Sequence, residues 1–204
     1  MNVGRDAFPV RRRARRWWHP DFIRDVRVRR AVTRICVPPP SRAWASFGRS
    51  IVVPPARVTH PECISIGDGV VILENVWLSV VRMFPDIDTR LVIGDRVRIG
   101  RGCQLSVAGD VVIERGAIIG DFVQIGDTYH AYEAAHRFIE LVPPVPVRIR
   151  EGAILGSHVV VLPGVTIGAG AYVEHRSVVG RDVPPGAVVE GNPARPRTTA
   201  SVEV

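Results

Sequence analysis

Residues 149–179 read IREGAILGSHVVVLPGVTIGAGAYVEHRSVV, and an aliphatic side chain returns at every sixth position. These residues are Ile149, Leu155, Val161, Ile167, Val173 and Val179. Two positions before each stands a small or apolar residue or a serine: Val147, Ala153, Val159, Val165, Ala171 and Ser177. A period of six fits neither an α-helix nor the simple alternation of a strand. It is the signature of a parallel β-helix, in which short strands meet at tight corners and coils stack on one another.

Three earlier segments repeat the same period, and their aliphatic residues are predicted to point into the coil. These residues are Ile66, Ile72, Leu78, Ile93, Ile99, Leu105, Ile113, Ile119 and Ile125. The phase slips after Leu78 and after Leu105, which predicts an outward loop over residues 79–90 and a small bulge over 106–110. Because three hexads make one triangular coil, the periodic segments together predict five coils. Residues 41–63, with irregular apolar content, are interpreted as an imperfect first coil.

The predicted fold is therefore all-β, with a parallel β-helix over residues 47–186 and a C-terminal tail over 187–204. Residues 1–46 are predicted to form a basic N-terminal arm. Within this arm, spaced apolar residues between Asp21 and Cys36 predict a short amphipathic helix. The organisation is thus one repetitive domain with two shorter flanking segments.

The positive charge is concentrated at the start of the chain. Residues 1–50 hold 13 of the 27 basic residues, all arginine, and three acids. The arginine-rich run 11–16 precedes Trp17 and Trp18, a combination that favours contact of residues 1–20 with anionic lipid headgroups. A solvated arm or a strap between subunits is the alternative. A nucleic-acid partner is disfavoured because no nucleic-acid-binding fold follows the arm.

Several classes of protein are disfavoured by what the sequence lacks. No window of 18 apolar residues is present, so a membrane-spanning helix is not expected. The N-terminus has no continuous apolar segment of the kind found in secretory signals. The three cysteines show neither paired nor metal-ligand spacing, which favours a reducing compartment and no metal site. We therefore expect a cytoplasmic protein, held at the inner face of the membrane if the arm binds lipid.

The largest interruption of the repeat spans residues 126–148. It reads GDTYHAYEAAHRFIELVPPVPVR and is rich in polar and titratable side chains. Loops carried by a rigid scaffold are where binding and catalytic residues are concentrated. We therefore predict that this segment is the catalytic loop.

Four short segments resemble the hexapeptide-repeat O-acetyltransferases, which include the maltose/galactoside and polysaccharide acetyltransferases. They are DTYHAYE at 127–133, ILGS at 154–157, LPGVTIG at 162–168 and GNPAR at 191–195. The resemblance implies a left-handed β-helix assembled as a homotrimer, with three sites in the clefts between subunits. It also implies acetyl-CoA as the acyl donor and a histidine of the loop as general base.

On the matching positions, the resemblance implies that His130 takes the proton of an acceptor hydroxyl, with Glu133 or Asp127 holding the other imidazole nitrogen. Transfer would be direct, without an acyl-enzyme. The residues expected to bind acetyl-CoA are Gly156, Ser157, Gly168, Ala169, Arg176 and Arg195. The chain departs from the family at His175-Arg176, where Ala-Gly is usual, and at Ile154, where Trp is common. Roles for three further histidines stay open: His136, His158 and His175.

The function predicted from the sequence is acetyl-CoA-dependent O-acetylation of a sugar, a polysaccharide precursor or a glycolipid. N-acetylation of an amino sugar is an alternative because it would share the base and the donor. A metalloenzyme of the γ-carbonic-anhydrase type is another, although it needs three converging histidines on zinc. The third alternative is a β-helix without catalytic activity, whose repeats serve only assembly.

Overall fold

A computed structural model of the protein describes residues 40–133 and 138–197, with the backbone alone described over 130–133 and 138–141. All of these residues belong to one compact unit, Cys36–Val204. The predicted N-terminal helix and the lipid-binding segment lie outside the described residues, so both stay predictions. Two short helical turns occur in the described part, at Ser41–Ala43 and Pro61–Cys63.

Over the described ranges, the chain winds through six coils, and each coil gives one strand to each of three sheets, in which these strands pair in parallel. Sheet A contains β1 (Ser46–Phe47), β4 (Ile64–Ile66), β7 (Arg90–Ile93), β10 (Asp110–Ile113), β15 (Val147–Ile149) and β18 (Thr166–Ile167). Sheet B contains β2 (Ile51–Val52), β5 (Val71–Ile72), β8 (Arg98–Ile99), β11 (Ile118–Ile119), β16 (Ile154–Leu155), β19 (Tyr172–Val173), β21 (Val188–Glu190) and β22 (Arg195–Pro196). Sheet C contains β3 (Arg57–Thr59), β6 (Trp77–Val80), β9 (Gln104–Val107), β12 (Gln124–Gly126), β17 (Val160–Val161) and β20 (Val178–Val179). The imperfect first coil and the five predicted coils account for six strands in each sheet. Strands β21 and β22 belong to the segment predicted as the C-terminal tail and extend sheet B, β21 parallel to β19 and β22 antiparallel to β21.

The hexad positions coincide with the core, as predicted. In sheet A, one inward column runs through Ile66, Ile93, Ile113, Ile149 and Ile167, each paired in register with the next. All five side chains are buried. Burying an aliphatic side chain of this size contributes about 1.5–3 kcal/mol. The sum over stacked columns holds together a coil whose individual strands are only two to four residues long.

The companion position two residues earlier is also buried and is mostly filled by smaller residues such as valine, alanine and cysteine. Cys103 is one of them, and its side chain is buried at the turn before β9. Desolvation raises the pKa of its thiol to about 11. The thiol therefore stays protonated at neutral pH and behaves as a small core residue.

The segments between strands define three edges of the prism. We call them corner AB, corner BC and corner CA, after the sheets that each joins in chain order. Both long interruptions, residues 81–89 and 127–146, leave the prism at corner CA. The predicted bulge over 106–110 is shorter than expected: β9 continues through Val107 and β10 begins at Asp110, so only Ala108 and Gly109 turn the corner. The sixfold period marks only the inward residue of each strand, so it does not show how far a strand extends beyond that residue toward the corner.

An ion cluster covers the outer face of sheet A next to corner CA. Asp110 accepts hydrogen bonds from Arg90 Nε at 3.0 Å and from Arg148 Nη2. Partial burial of Asp110 would raise the pKa of its carboxyl, but the hydrogen bonds from Arg90 and Arg148 outweigh burial and lower it. The cluster thus cross-links β7, β10 and β15 across three coils.

This lowered pKa predicts a specific acid sensitivity. A carboxyl with a depressed folded-state pKa stabilises the fold above its ordinary value near 4, and that contribution is lost as pH falls through the folded pKa. Asp110→Asn is expected to cost about 1 kcal/mol at pH 7 and to flatten the fall in Tm below pH 4. Thermal melts of both proteins between pH 7 and pH 3 measure this effect. An equally steep fall in Tm below pH 4 in the two proteins would contradict this prediction.

Candidate functional site

The interruption predicted to be catalytic contains a two-stranded hairpin. Strands β13 (His130–Glu133) and β14 (Phe138–Leu141) pair antiparallel, with His130 opposite Leu141 and Glu133 opposite Phe138. His130 is the first residue of β13 and so lies where the hairpin leaves corner CA. His136 lies outside the described residues. The prediction of a catalytic role for His130 and Glu133 therefore rests on backbone position, since neither side chain is described.

Asp127 fixes the root of this hairpin to the preceding coil. Its side chain is fully buried, its Oδ1 accepts a hydrogen bond from the Ala108 amide at 2.8 Å, and its Oδ2 accepts one from the Gly109 amide at 2.7 Å. Burial raises the pKa of the Asp127 carboxyl, and the amide hydrogen bonds oppose that shift. Both carboxylate oxygens thus contact backbone amides at the turn between β9 and β10.

The returning end of the interruption is clamped at the same place. The Val145 amide donates to the Asp127 carbonyl at 2.7 Å, and the Gly164 amide donates to the Val145 carbonyl at 3.0 Å. Thr128 Oγ1 donates to the Val142 carbonyl, which ties the two arms of the insertion together. A Cβ on Gly109 would lie 2.8 Å from the ring of Pro144, so only glycine allows this close approach. The two ends of the hairpin are therefore fixed by hydrogen bonds to residues of three successive coils.

A groove of about 190 Å³ lies on the outer face of sheet C, directly beside the root of the hairpin. Its wall includes the last two residues before His130, Thr128 and Tyr129. The remaining polar groups of the wall are Gln104, Ser106 and Gln124. Carboxamides and hydroxyls both donate and accept hydrogen bonds, which suits a polyhydroxylated ligand. The groove, and not the hairpin alone, is therefore the candidate for acceptor binding.

Three of the residues predicted to bind acetyl-CoA lie together at corner BC. Gly156 and Ser157 follow β16, and Arg176 follows β19 one coil later. A Cβ on Gly156 would lie 2.7 Å from the His175 amide nitrogen, so glycine is required by the packing of the coils. The Ser157 amide donates to His175 Nδ1 at 2.8 Å. His175, one of the residues that depart from the family pattern, thus accepts the hydrogen bond of the Ser157 amide and forms part of the corner.

The other predicted cofactor residues lie elsewhere. Gly168 and Ala169 turn corner AB after β18 and border a cavity of about 540 Å³ with Thr166, Asp182 and Pro184 among its walls. Arg195 is exposed in β22, at the C-terminal end of sheet B. The single chain therefore does not bring the six residues to one site, but distributes them over two corners and one end of the coil.

His158 belongs to an aromatic stack at corner BC. Its ring lies parallel to that of Phe122, with centroids 5.0 Å apart and an interplanar angle of 14°. Both residues have the left-handed backbone conformation, with φ of 61° and 58°. His158 therefore has a structural role at the corner, on a different edge from the hairpin.

Sequence reasoning did not single out the aromatic residue on the outer face of sheet C. Trp77 precedes the inward residue Leu78, and its indole is 37% exposed. An outward aromatic residue in a chain with only 6% aromatic residues was the available signal. The same analysis did not single out Gln104 and Gln124, because single outward polar residues are ordinary in any β-helix.

The described residues contain neither a candidate metal centre nor a candidate membrane-spanning helix. Over residues 40–133 and 138–197, no three His, Cys, Asp or Glu side chains are grouped so that they could hold a metal ion. In the same ranges, no helix has both the length and the apolar character needed to cross a membrane.

Comparison with known proteins gives one matching family and several similar curated proteins. Residues 146–181 match the family described as bacterial transferase hexapeptide (six repeats). Serine acetyltransferase 2 of Arabidopsis thaliana is 42% identical over 98 residues, which are 48% of this chain and 29% of the relative. The chain spans less than two thirds of the length of the curated relatives it matches.

Two solved structures extend the comparison. A hexapeptide-repeat acetyltransferase of Vibrio cholerae in complex with acetyl-CoA superposes with a TM-score of 0.55 at 25% identity, over 86% of this chain and 90% of that one. A GDP-perosamine N-acetyltransferase mutant of Caulobacter crescentus, in complex with CoA and GDP-perosamine, gives 0.53 at 27%, over 73% and 56%. With these neighbours, the three-sheet coil is a left-handed parallel β-helix, as predicted.

Proposed function

Starting from the match of residues 146–181 to the hexapeptide-repeat transferase family, we propose that this chain transfers the acetyl group of acetyl-CoA to a hydroxyl of a saccharide. The observation that carries the proposal is the rigid root of the β13–β14 hairpin. It places the start of β13, at His130, beside a groove lined by amides and hydroxyls. The family supplies the donor, and the groove suits a polyhydroxylated acceptor.

In the proposed reaction, the His130 imidazole removes the proton from the acceptor hydroxyl as its oxygen attacks the thioester carbonyl. A sugar hydroxyl is a weak nucleophile at neutral pH, which is why a base is needed. The new C–O bond forms, the C–S bond breaks, and the proton held by the imidazole passes to the departing CoA sulfur. Donor and acceptor react directly, so no acyl-enzyme is formed.

Asp127 is a poor candidate for the group that orients the imidazole. Both carboxylate oxygens of Asp127 already accept hydrogen bonds from the Ala108 and Gly109 amides. Asp127 therefore acts in this proposal as a positioning residue, which sets the place of the hairpin and through it the place of His130. Glu133 lies three residues after His130 on β13, and this odd spacing puts the two positions on opposite faces of the hairpin, so the proposal gives Glu133 no contact with the imidazole.

Acetyl-CoA is proposed to bind in a cleft between the protomers of a homotrimer. Within one chain, Gly156 and Ser157 lie at corner BC while Gly168 and Ala169 lie at corner AB. A cleft between neighbouring prisms can combine one corner from each chain. The exposed guanidinium groups of Arg176 and Arg195 fit the phosphates of the donor, because arginine forms paired, charge-assisted hydrogen bonds with phosphate.

The test is direct. The full-length protein is incubated with acetyl-CoA and a panel of saccharides, and free thiol is followed with a chromogenic reagent while light scattering gives the oligomeric mass. We expect thiol release that depends on one class of saccharide, and a mass of three chains. Thiol release that is equal with and without an acceptor would refute acetyl transfer to a saccharide. A fully active monomer would refute a donor site between protomers.

N-acetylation of an amino sugar is the second candidate. It is supported by the similarity to the GDP-perosamine N-acetyltransferase structure. The same base and donor would serve it. The panel therefore includes amino sugars, and the product is treated with hydroxylamine, which cleaves an acetyl ester but leaves an acetamide intact. A resistant product assigns the chain to N-acetylation.

The basic segment 1–20 is proposed to hold the enzyme at an anionic membrane surface. Its arginine run and two adjacent tryptophans support this, because each basic residue near such a surface contributes about 1 kcal/mol. Deleting residues 1–20 is expected to reduce cosedimentation with phosphatidylserine vesicles at least 10-fold at 100 mM salt. Vesicles of neutral lipid are the control. Equal cosedimentation of both proteins would remove the membrane role.

A further inference from the structure

A second cavity, of about 320 Å³, lies on the outer face of sheet C nearer the N-terminal coils. The half-exposed indole of Trp77 is one wall, and the Arg57 guanidinium carbon lies 6.0 Å from the centroid of that ring. Asn75 and Gln104 add two carboxamides to the lining. The cavity thus combines one aromatic surface, one cation and several donors and acceptors in a small volume.

One corner residue that borders the cavity has no side chain. The left-handed position of corner BC is filled in successive coils by Asn75, Gly102, Phe122, His158 and Arg176. Gly102 lines the cavity, and a Cβ there would lie 2.5 Å from the ring of Phe122. A larger residue at this position would therefore displace Phe122, so glycine is required by the packing of this corner beside the cavity.

These groups match the chemistry of a pyranose ring. An indole offers a flat apolar surface on which the C–H face of a sugar packs, and carboxamides bind its hydroxyls. Pockets that bind small molecules pair apolar surface with a few oriented polar groups in this way. Arg57 holds the indole on one side and offers additional donors to ring or substituent oxygens.

The cavity and the groove at the hairpin root share one lining residue. Gln104 lines both. Trp77, Gln104 and Gln124 are paired in register across β6, β9 and β12. Two strand spacings separate Trp77 from Gln124, which is roughly 10 Å. A ligand of two or more linked rings can therefore contact Trp77 at one end while its other end lies beside Tyr129 and the start of β13.

We propose that the Trp77 cavity is a remote acceptor subsite, which binds a second sugar ring while the ring to be acetylated lies in the groove at the hairpin root. The acceptor is then an oligosaccharide or a glycan chain and not a free monosaccharide. This inference rests on the proposed acetyl transfer and adds the size class of its acceptor. Binding energy from the remote ring is used to orient the reacting hydroxyl.

The experiment compares the full-length protein with Trp77→Ala and Trp77→Phe. The acceptors are cellotriose, maltotriose and chitotriose, each against its monosaccharide. For the oligosaccharide that is acetylated best, we expect Trp77→Ala to lower kcat/KM at least 10-fold and Trp77→Phe to lower it less than threefold. For the monosaccharide and for acetyl-CoA, the kinetic constants stay within twofold. Ile118→Ala, which removes a similarly exposed apolar side chain from sheet B, is the matched control.

Binding without turnover is measured by quenching of tryptophan fluorescence with the same oligosaccharides. Quenching that disappears in Trp77→Phe supports the subsite even if no acceptor is acetylated, in which case the proposed transfer alone fails. Acetylation with equal losses on mono- and oligosaccharides in Trp77→Ala overturns the subsite and leaves the transferase standing. Thymidine diphosphate is tested in the same way as a probe for nucleobase binding. If it quenches the fluorescence of the unaltered protein but not of Trp77→Phe, and saccharides quench neither, the subsite is also overturned, because the cavity would then bind a nucleobase.

Discussion

Replacing His130 with alanine is expected to lower kcat for acetyl transfer by about 10²–10⁴-fold, the usual contribution of a general base. Without the imidazole, the acceptor hydroxyl must lose its proton to water as it attacks the thioester. The KM for acetyl-CoA should change little, because His130 is proposed to act on the acceptor. Steady-state release of CoA thiol measures both constants.

His60→Ala provides the matched control for this prediction. His60 is exposed at the turn before Pro61–Cys63, where its Nδ1 lies 3.0 Å from Glu62 Oε1. It therefore tests the loss of a surface imidazole on the same protein. We expect wild-type activity for this variant and equal melting temperatures for both. Comparable activity of the two variants would exclude His130 as the base.

The second large effect is expected from Asp127→Asn. The asparagine amide group can replace only one of the two acceptor oxygens, so either the Ala108 or the Gly109 amide faces an N–H donor. Hydrogen bonds to a charged partner are worth about 1.5–3 kcal/mol, and an unsatisfied buried amide adds a further cost. We expect a loss of about 2–4 kcal/mol in the free energy of unfolding and a fall in kcat of about 10²-fold.

A double mutant separates positioning from direct catalysis. If Asp127 acts only by placing His130, its substitution should have almost no further effect on activity in the His130→Ala background. The loss of stability should persist in that background. Hydrogen exchange at the Ala108, Gly109 and Val145 amides reports the loosened root. A full additional 10²-fold loss in the double mutant would instead give Asp127 a chemical role of its own.

The fold of this protein was predictable because a period of six assigns each residue a direction. Ile93, Ile113 and Ile149 pack in one column because each occupies the same phase of the repeat in successive coils. Shifting the phase by one residue would turn the column outward, so the burial of aliphatic residues fixes the register. The first coil, from Ser46 to Thr59, was harder to identify because its hexads are irregular.

The site was only partly predictable. The segment around His130 was identified by its polar composition and by a family resemblance, and both are local properties of the chain. The role of Asp127 depends on amides at 108–109, 18 and 19 residues earlier, which reach it only because one coil stacks on the next. No spacing rule in the sequence describes that contact.

The sequence by itself determined that the chain forms a β-helix and which side chains fill its interior, because inward burial repeats with the period of the coil. It also marked the interruption that carries His130. Only the tertiary structure decided that residues 81–89 and the hairpin leave the same corner, that Gly156 and Gly168 lie at different corners, and that Trp77 and Gln104 border one cavity. These relations arise from stacking between coils, where residues about 18 to 36 positions apart become neighbours.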